Sequence, residues 1–313
     1  MIYRELGKTG EKIPALGMGT WKIPNDSQDA IEALRYGIEN GINFIDTAEM
    51  YGNEELVGRA IKGIDNVFIA TKVSPSNFGY DDLIRACEGS LRRLGVKSIN
   101  LYQLHWPNNR IPISETMRAM EKLQDEGKIM HIGVSNFSIS EMIEAQSALS
   151  HSEIVSNQVE YSIVMREPEE GLLQFCNRES ITLIAYSPLA RGAILKDEPL
   201  LRALKEIGDK YNKTPLQVAL NYLISSGNVI PIPKASTKEH IAENLGAVSW
   251  KLSGEDFSTL RNMKEFRKPP LAGKLLKAFL KNTTIWSRVM ERIEKMRSGR
   301  KGKNSTAEQQ ENS

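Results

Sequence analysis

Gly17-Met18-Gly19-Thr20-Trp21-Lys22 closes the first strong apolar run of the chain, and its reading separates two α/β architectures. A doubly wound sheet predicts a glycine-rich strand-to-helix turn early in the chain, with a third glycine three positions after the second. That position is Lys22. Outward from here, apolar runs at 15–20, 43–47, 67–72, 100–105, 131–135, 155–158, 182–186 and 229–232 read as strands, mostly continuous rather than alternating. Such runs fit parallel strands covered on both faces. Amphipathic stretches lie between them. Ser27 predicts a helix cap with Gly41 past the helix end, and Thr214-Pro215 opens another helix. Strands alternating with helices over about 250 residues predict a (β/α)8 TIM barrel. The preceding Tyr3 to Ile13 stretch, with Gly7 and Gly10, predicts an N-terminal β-hairpin.

Composition sets the frame. The 313 residues are 40% hydrophobic and 26% charged, a balance that suits a folded globular chain. Two cysteines, Cys87 and Cys176, supply neither a disulfide framework nor a thiolate cluster, and the four histidines lack metal-ligand spacing, so no metal is expected. The N-terminus has no apolar signal core and no long apolar run follows, which predicts a cytoplasmic protein. Nucleic acid is not among the expected partners. The formal net charge of +2 hides an asymmetry: 11 of 41 basic and 4 of 39 acidic residues lie from Lys268 onward. The tail therefore carries +7 and the body −5, with Pro269-Pro270 marking a boundary. The expected organisation is a barrel over 1–267, a basic amphipathic helical extension over 268–297 and a disordered tail over 298–313.

What ends each strand carries the chemistry. Asp46, Lys72, His105, Ser135-Asn136, Gln158 and Tyr186 each close an apolar run. In a barrel such C-terminal ends converge on the face that holds active sites. Taken singly, Lys72 reads as a snorkelling lysine, His105 as a satisfied core histidine and Tyr51 as a packed aromatic. Together they place an anion, a cation and two proton-handling groups on three neighbouring strands.

These motifs resemble the aldo-keto reductase superfamily from residue 1 to about 265. The matching segments are Asp46-Thr47-Ala48 through Tyr51-Gly52, Ala70-Thr71-Lys72, Leu104-His105-Trp106-Pro107, Gly133-Val134-Ser135-Asn136-Phe137, Asn157-Gln158-Val159-Glu160-Tyr161, Ala185-Tyr186-Ser187-Pro188-Leu189 and Ile232-Pro233-Lys234-Ala235-Ser236. The resemblance implies a catalytic tetrad of Asp46, Tyr51, Lys72 and His105. It implies NADPH or NADP as cofactor, with Ser135, Asn136 and Gln158 on the nicotinamide amide and Tyr186 stacked on its ring. Ser187 and Leu189 would meet the pyrophosphate, Lys234 and Ser236 the adenosine 2′-phosphate, and Glu243 and Asn244 the adenine. The bland reading of that last segment is a helix N-terminus capped by Thr237. Where NADPH-preferring members place an arginine, this chain has His240 beside Glu239, which predicts weaker discrimination against NADH. Trp21, Trp106 and His105 would line the substrate mouth, with a small aldehyde or ketone as substrate.

Carbonyl reduction needs a hydride on carbon and a proton on oxygen. No side chain delivers a hydride, so a nicotinamide cofactor is required. Tyr51 would donate the proton, and Lys72, held by Asp46, is expected to bring its phenol down from ~10 towards neutrality. His105 would orient the substrate oxygen. A second function class stays open, because the resemblance also covers cofactor-sensing, channel-associated β-subunits. A barrel lyase using Lys72 as a Schiff base fits poorly, since Asp46 would keep that lysine protonated. In the tail, Leu271, Leu275, Leu276, Phe279, Leu280, Ile285, Trp286, Val289, Met290, Ile293 and Met296 recur at roughly helical spacing among lysines and arginines. Such a helix could pack on the barrel or on a neighbouring subunit, or contact an anionic membrane surface. Monomer and homo-oligomer are equally compatible with the sequence.

Overall fold

Strand pairing sets the architecture of the computed structural model, which describes residues 1–263 apart from 235. The expected 268–297 extension and 298–313 tail lie outside the described residues. Strands β1 (Tyr3–Glu5) and β2 (Lys12–Pro14) form an antiparallel hairpin. Eight further strands follow: β3 (Met18–Gly19), β4 (Phe44–Asp46), β5 (Phe68–Val73), β6 (Ile99–Leu104), β7 (Ile129–Ser135), β8 (Ile154–Glu160), β9 (Thr182–Tyr186) and β10 (Val229–Pro231). They pair in parallel and in sequence order from β3 to β10. Gly17 N donates to Pro231 O at 3.0 Å and Gly19 N to Pro233 O at 2.9 Å, and Gly19 bridges Lys234 in parallel. These bonds join the first strand to the last, and the sheet is a (β/α)8 barrel.

The seam explains the glycines of the opening segment. A Cβ on Gly19 would lie 2.8 Å from the Ile232 carbonyl oxygen, a backbone atom that cannot step aside. Gly19 thus serves close backbone approach in barrel closure, a use unrelated to a phosphate-binding turn. β3 is only two residues long, shorter than the apolar run that predicts it.

Helices α1 (Gln28–Glu39), α2 (Glu54–Ile61), α3 (Tyr80–Leu94), α4 (Ile113–Asp125), α5 (Ile139–Ser147) and α6 (Leu172–Glu179) each follow one strand. Two helices, α7 (Glu198–Tyr211) and α8 (Pro215–Ser225), separate β9 from β10, and α9 (Lys238–Leu245) and α10 (Gly254–Asn262) complete the described chain. Their starts follow local chemistry. Ser27 caps α1, while Ser138 with Glu141 and Thr214 with Gln217 form reciprocal capping boxes at α5 and α8. Helix faces and the outward strand residues pack into two apolar clusters, one around the first strands and helices and one around β9, α7 and α8. Inside the barrel, Phe44, Phe68, Leu101, Ile184 and Ile230 fill the lower part, and Leu6 and Ile13 of the hairpin join that cluster as a plug. Apolar filling ends below Asp46, Lys72, Gln103 and Gln158. Above that level the interior is polar, and this polar top is where the site forms. Among the described residues, no helix is long and apolar enough to cross a membrane.

Candidate active site

Parallel strands deliver their C-terminal residues to one end of the barrel, and a buried ion pair occupies its centre. Asp46 ends β4, Lys72 is the penultimate residue of β5, and His105 follows β6 directly. Lys72 Nζ donates to Asp46 Oδ1 at 2.6 Å and to the Thr47 carbonyl at 2.7 Å. Lys72 has no solvent exposure. Removing an ammonium from water costs several kcal/mol, so its counter-charge and carbonyl acceptor are required for the arrangement to exist. Burial draws the Lys72 pKa down, while Asp46 and then Glu54 oppose that shift.

Tyr51 reaches the pair from the 3-10 turn Glu49–Tyr51. Lys72 Nζ lies 5.0 Å from its ring centroid, and the His105 ring stands edge-on to it with centroids 5.6 Å apart. The four residues therefore form one cluster. Electrostatics within it differ from the sequence expectation: burial first, then the charge of Asp46, push the Tyr51 phenol well above its ordinary value. Lys72 is compensated by Asp46, so its ammonium does not act on the phenol as an isolated cation. His105 is held well below the usual imidazole range by burial and then by Lys72, so it is neutral near pH 7.

The neighbouring strand ends supply a set of amides and hydroxyls. Ser135 Oγ donates to the main-chain carbonyl of Gln158 at 2.9 Å and accepts from Asn136 Nδ2 at 2.9 Å. Asn136 Nδ2 also donates to the His105 carbonyl at 3.1 Å, and Tyr186 Oη donates to Asn136 Oδ1 at 3.0 Å. Gln158 Nε2 donates to Asp46 Oδ2 at 2.8 Å. Beyond β9, Ser187, Ala190 and Arg191 adopt left-handed backbone at φ 50°, 49° and 54°. Such strained non-glycine geometry within six residues is characteristic of functional segments. Leu189 lies within this stretch. At the seam, exposed Lys234 leads into α9, whose N-cap is Thr237, as the bland reading expects. Ser236 Oγ lies 3.5 Å from His240 Nδ1, so His240 faces the Ser236 side of the turn. Glu243 is bonded by Thr214 Oγ1 at the start of α8, and Asn244 is buried. On the rim, Trp21 is 40% exposed and is flanked by Lys22 and Arg191, 4.5 and 5.0 Å from its ring centroid. Trp106 is half-buried just past His105.

Some structural residues of this site escape sequence reading. Asn53 is fully buried: it accepts from Thr47 Oγ1 at 2.9 Å and donates to the carbonyls of Thr20 and Ile23 at 2.8 and 3.0 Å. It thereby fixes the segment whose Thr47 carbonyl holds Lys72. Glu54 accepts from Thr71 Oγ1 at 2.6 Å and from Arg93 Nε at 2.7 Å, behind Lys72. Gln103, buried inside β6, joins the Asp46 group. Asn53-Glu54-Glu55 has the look of an ordinary helix start, which hides the first two. Gln103 alone carried a signal, as the one strongly polar side chain inside the run 101–104.

Comparison with known proteins bears on the family. A sequence model of the Aldo/keto reductase family matches residues 15–265. Methylglyoxal reductase YeaE of Escherichia coli (strain K12) is 40% identical over 256 residues, covering 79% of this chain and 90% of that protein. A thermostable aldo-keto reductase solved with the inhibitor epalrestat is 45% identical, with a TM-score of 0.79 over 83% of this chain and 98% of that one. An aldo-keto reductase of Klebsiella pneumoniae, solved with NADPH, is 36% identical, with a TM-score of 0.78 over 87% of this chain and 98% of that one. With the family matched across the whole barrel, the chain belongs to the aldo/keto reductase family.

Proposed function

We propose that this protein reduces small aldehydes, α-keto aldehydes among them, with NADPH, and that Tyr51 gives the proton. The chain is an oxidoreductase of its family, and NADP(H)-dependent carbonyl reduction is its reaction class. The observation that carries the residue assignment is the buried Lys72–Asp46 pair lying against Tyr51, with His105 edge-on to the same ring.

The donor set suits a nicotinamide dinucleotide. Ser135, Asn136 and Gln158 offer hydroxyl and amide groups to a carboxamide, and Tyr186 offers an aromatic face. The left-handed stretch at Ser187 and its neighbours, followed by Lys234 and the capped start of α9, supplies backbone donors and a cation for phosphates. The bound cofactor would supply the hydride that no side chain can. Tyr51 enters as an un-ionised phenol, because burial and Asp46 hold it protonated. It gives its proton to the carbonyl oxygen as that oxygen becomes an alkoxide, a stronger base than phenolate. His105, neutral, hydrogen-bonds the same oxygen and orients it. Lys72 and Asp46 keep the phenol in position. The exposed aromatic rim at Trp21 leaves room for varied small aldehydes rather than one large substrate.

The reading is tested by NADPH consumption with methylglyoxal and a panel of short aldehydes. Turnover with α-keto aldehydes is expected. Stoichiometric cofactor binding with no turnover on any carbonyl would favour the regulatory-subunit reading instead.

A further inference from the structure

Gln103 sits at the polar–apolar boundary inside the barrel, where a strand would ordinarily place an aliphatic side chain. It is fully buried. In register it lies between Lys72 on β5 and Gly133 on β7. The barrel makes space for it: a Cβ on Gly133 would lie 2.9 Å from Gln103 Cγ. A buried primary amide costs free energy unless its groups are paired, and here the pairing is specific. Gln103 Nε2 donates to Asp46 Oδ2 at 3.4 Å, and Gln103 Oε1 accepts from Gln158 Nε2 at 3.3 Å.

That second bond decides how Gln158 presents itself. An ionised carboxylate only accepts, so the Gln158 atom 2.8 Å from Asp46 Oδ2 must be its nitrogen. A primary amide nitrogen has two protons. One goes to Asp46 and the other to Gln103, which turns Gln158 Oε1, distinct from the main-chain oxygen that accepts from Ser135 Oγ, away from that carboxylate as the amide's acceptor end. It is an acceptor suited to the N–H of a carboxamide.

We infer that Gln103 is a positioning residue that locks the Gln158 amide in one orientation and ties the nicotinamide subsite to Asp46. The inference rests on the proposed placement of the nicotinamide carboxamide at Gln158. With Gln103 absent, Gln158 retains only its bond to Asp46 and can rotate, and Asp46 loses its second amide donor. Affinity for the nicotinamide end of the cofactor then depends on a residue outside the proposed contacts to that group.

Three variants test it in the full-length protein. Gln103→Leu is expected to weaken NADP binding about tenfold, read by fluorescence titration. Binding of 2′-phospho-ADP-ribose, which lacks the nicotinamide, should stay at the wild-type value. A general loss of fold would weaken both ligands equally. Gln103→Glu supplies the same donor and acceptor when its new carboxyl is protonated, but places a second anion beside Asp46 when ionised. Its NADP affinity, taken relative to 2′-phospho-ADP-ribose so that titration of the shared 2′-phosphate cancels, should approach the wild-type ratio in acid and fall as pH rises, whereas the wild-type ratio stays level. Gln158→Leu should reproduce the selective loss and make the Gln103→Leu change additive to almost nothing. Unchanged NADP affinity in Gln103→Leu, or equal loss of both ligands, overturns the inference. Absence of methylglyoxal reduction by the wild type, with the selective binding loss intact, would count against the proposed reaction and leave this inference standing.

Discussion

Lys72 Nζ lies 2.6 Å from Asp46 Oδ1, with the two side chains 0% and 2% exposed, and this contact organises the polar top of the barrel. Each charge is buried on account of the other. Asp46→Asn should therefore leave an uncompensated ammonium and destabilise the protein by about 3–5 kcal/mol. Combining it with Lys72→Met should recover most of that loss. Urea denaturation of the two single variants and the double variant checks this; equal midpoints for Asp46→Asn and wild type would contradict it.

His105 yields a pH dependence of stability with a definite sign. Burial and Lys72 depress its pKa in the folded state, while in the unfolded chain it takes a proton near ~6.5. Below that pH the unfolded state binds more protons, so this contribution is complete above ~6.5 and is lost as pH falls towards the native value. The slope is at most ~1.4 kcal/mol per pH unit. His105→Gln should flatten the fall in thermal stability between about pH 6.5 and 5. Parallel curves for variant and wild type would show that His105 ionises freely in the folded protein.

Cofactor choice should respond to the turn at the start of α9. Lys234 and Lys238 are exposed cations there, Lys238 paired with Glu32, and His240 faces Ser236. His240→Arg replaces an imidazole with a permanent, fork-shaped guanidinium, and should raise the preference for NADPH over NADH about tenfold. Lys234→Met should weaken NADPH and leave NADH unchanged. Fluorescence titration with both cofactors measures the two ratios.

Much of this was legible from residue order, and the remainder was hidden for physical reasons. Continuous apolar runs announced the barrel because parallel strands are covered on both faces, and the polar residues closing them marked the top of the site. Ser27, Thr214 and Thr237 announced helix starts through capping chemistry. Two things depend on three-dimensional proximity instead. The Tyr51 phenol was expected to move down because Lys72 recurs near it; burial and the charge of Asp46 move it up, and neither is visible in one dimension. Glu54 and Asn53 read as an ordinary helix start, yet they brace Thr71 and Thr47 beside and beneath the lysine. The place of Gln103 follows from strand register, which sets it between Lys72 and Gly133.

The raised phenol also separates the two reaction directions. With Tyr51 as the proposed acid, reduction should keep a level kcat between about pH 6 and 9, while alcohol oxidation, which would need phenolate, should rise steadily with pH. Steady-state rates in both directions across that range give the comparison. A reductive rate that falls through neutrality would contradict a phenol held up by burial.

The most direct test of the account is Tyr51→Phe, measured for NADPH-dependent methylglyoxal reduction and for NADPH binding on the same preparation. Loss of the proton donor should lower kcat by about 10²–10⁴-fold, with the NADPH dissociation constant within about twofold of wild type. Turnover near the wild-type rate would contradict the assignment of Tyr51 as the acid.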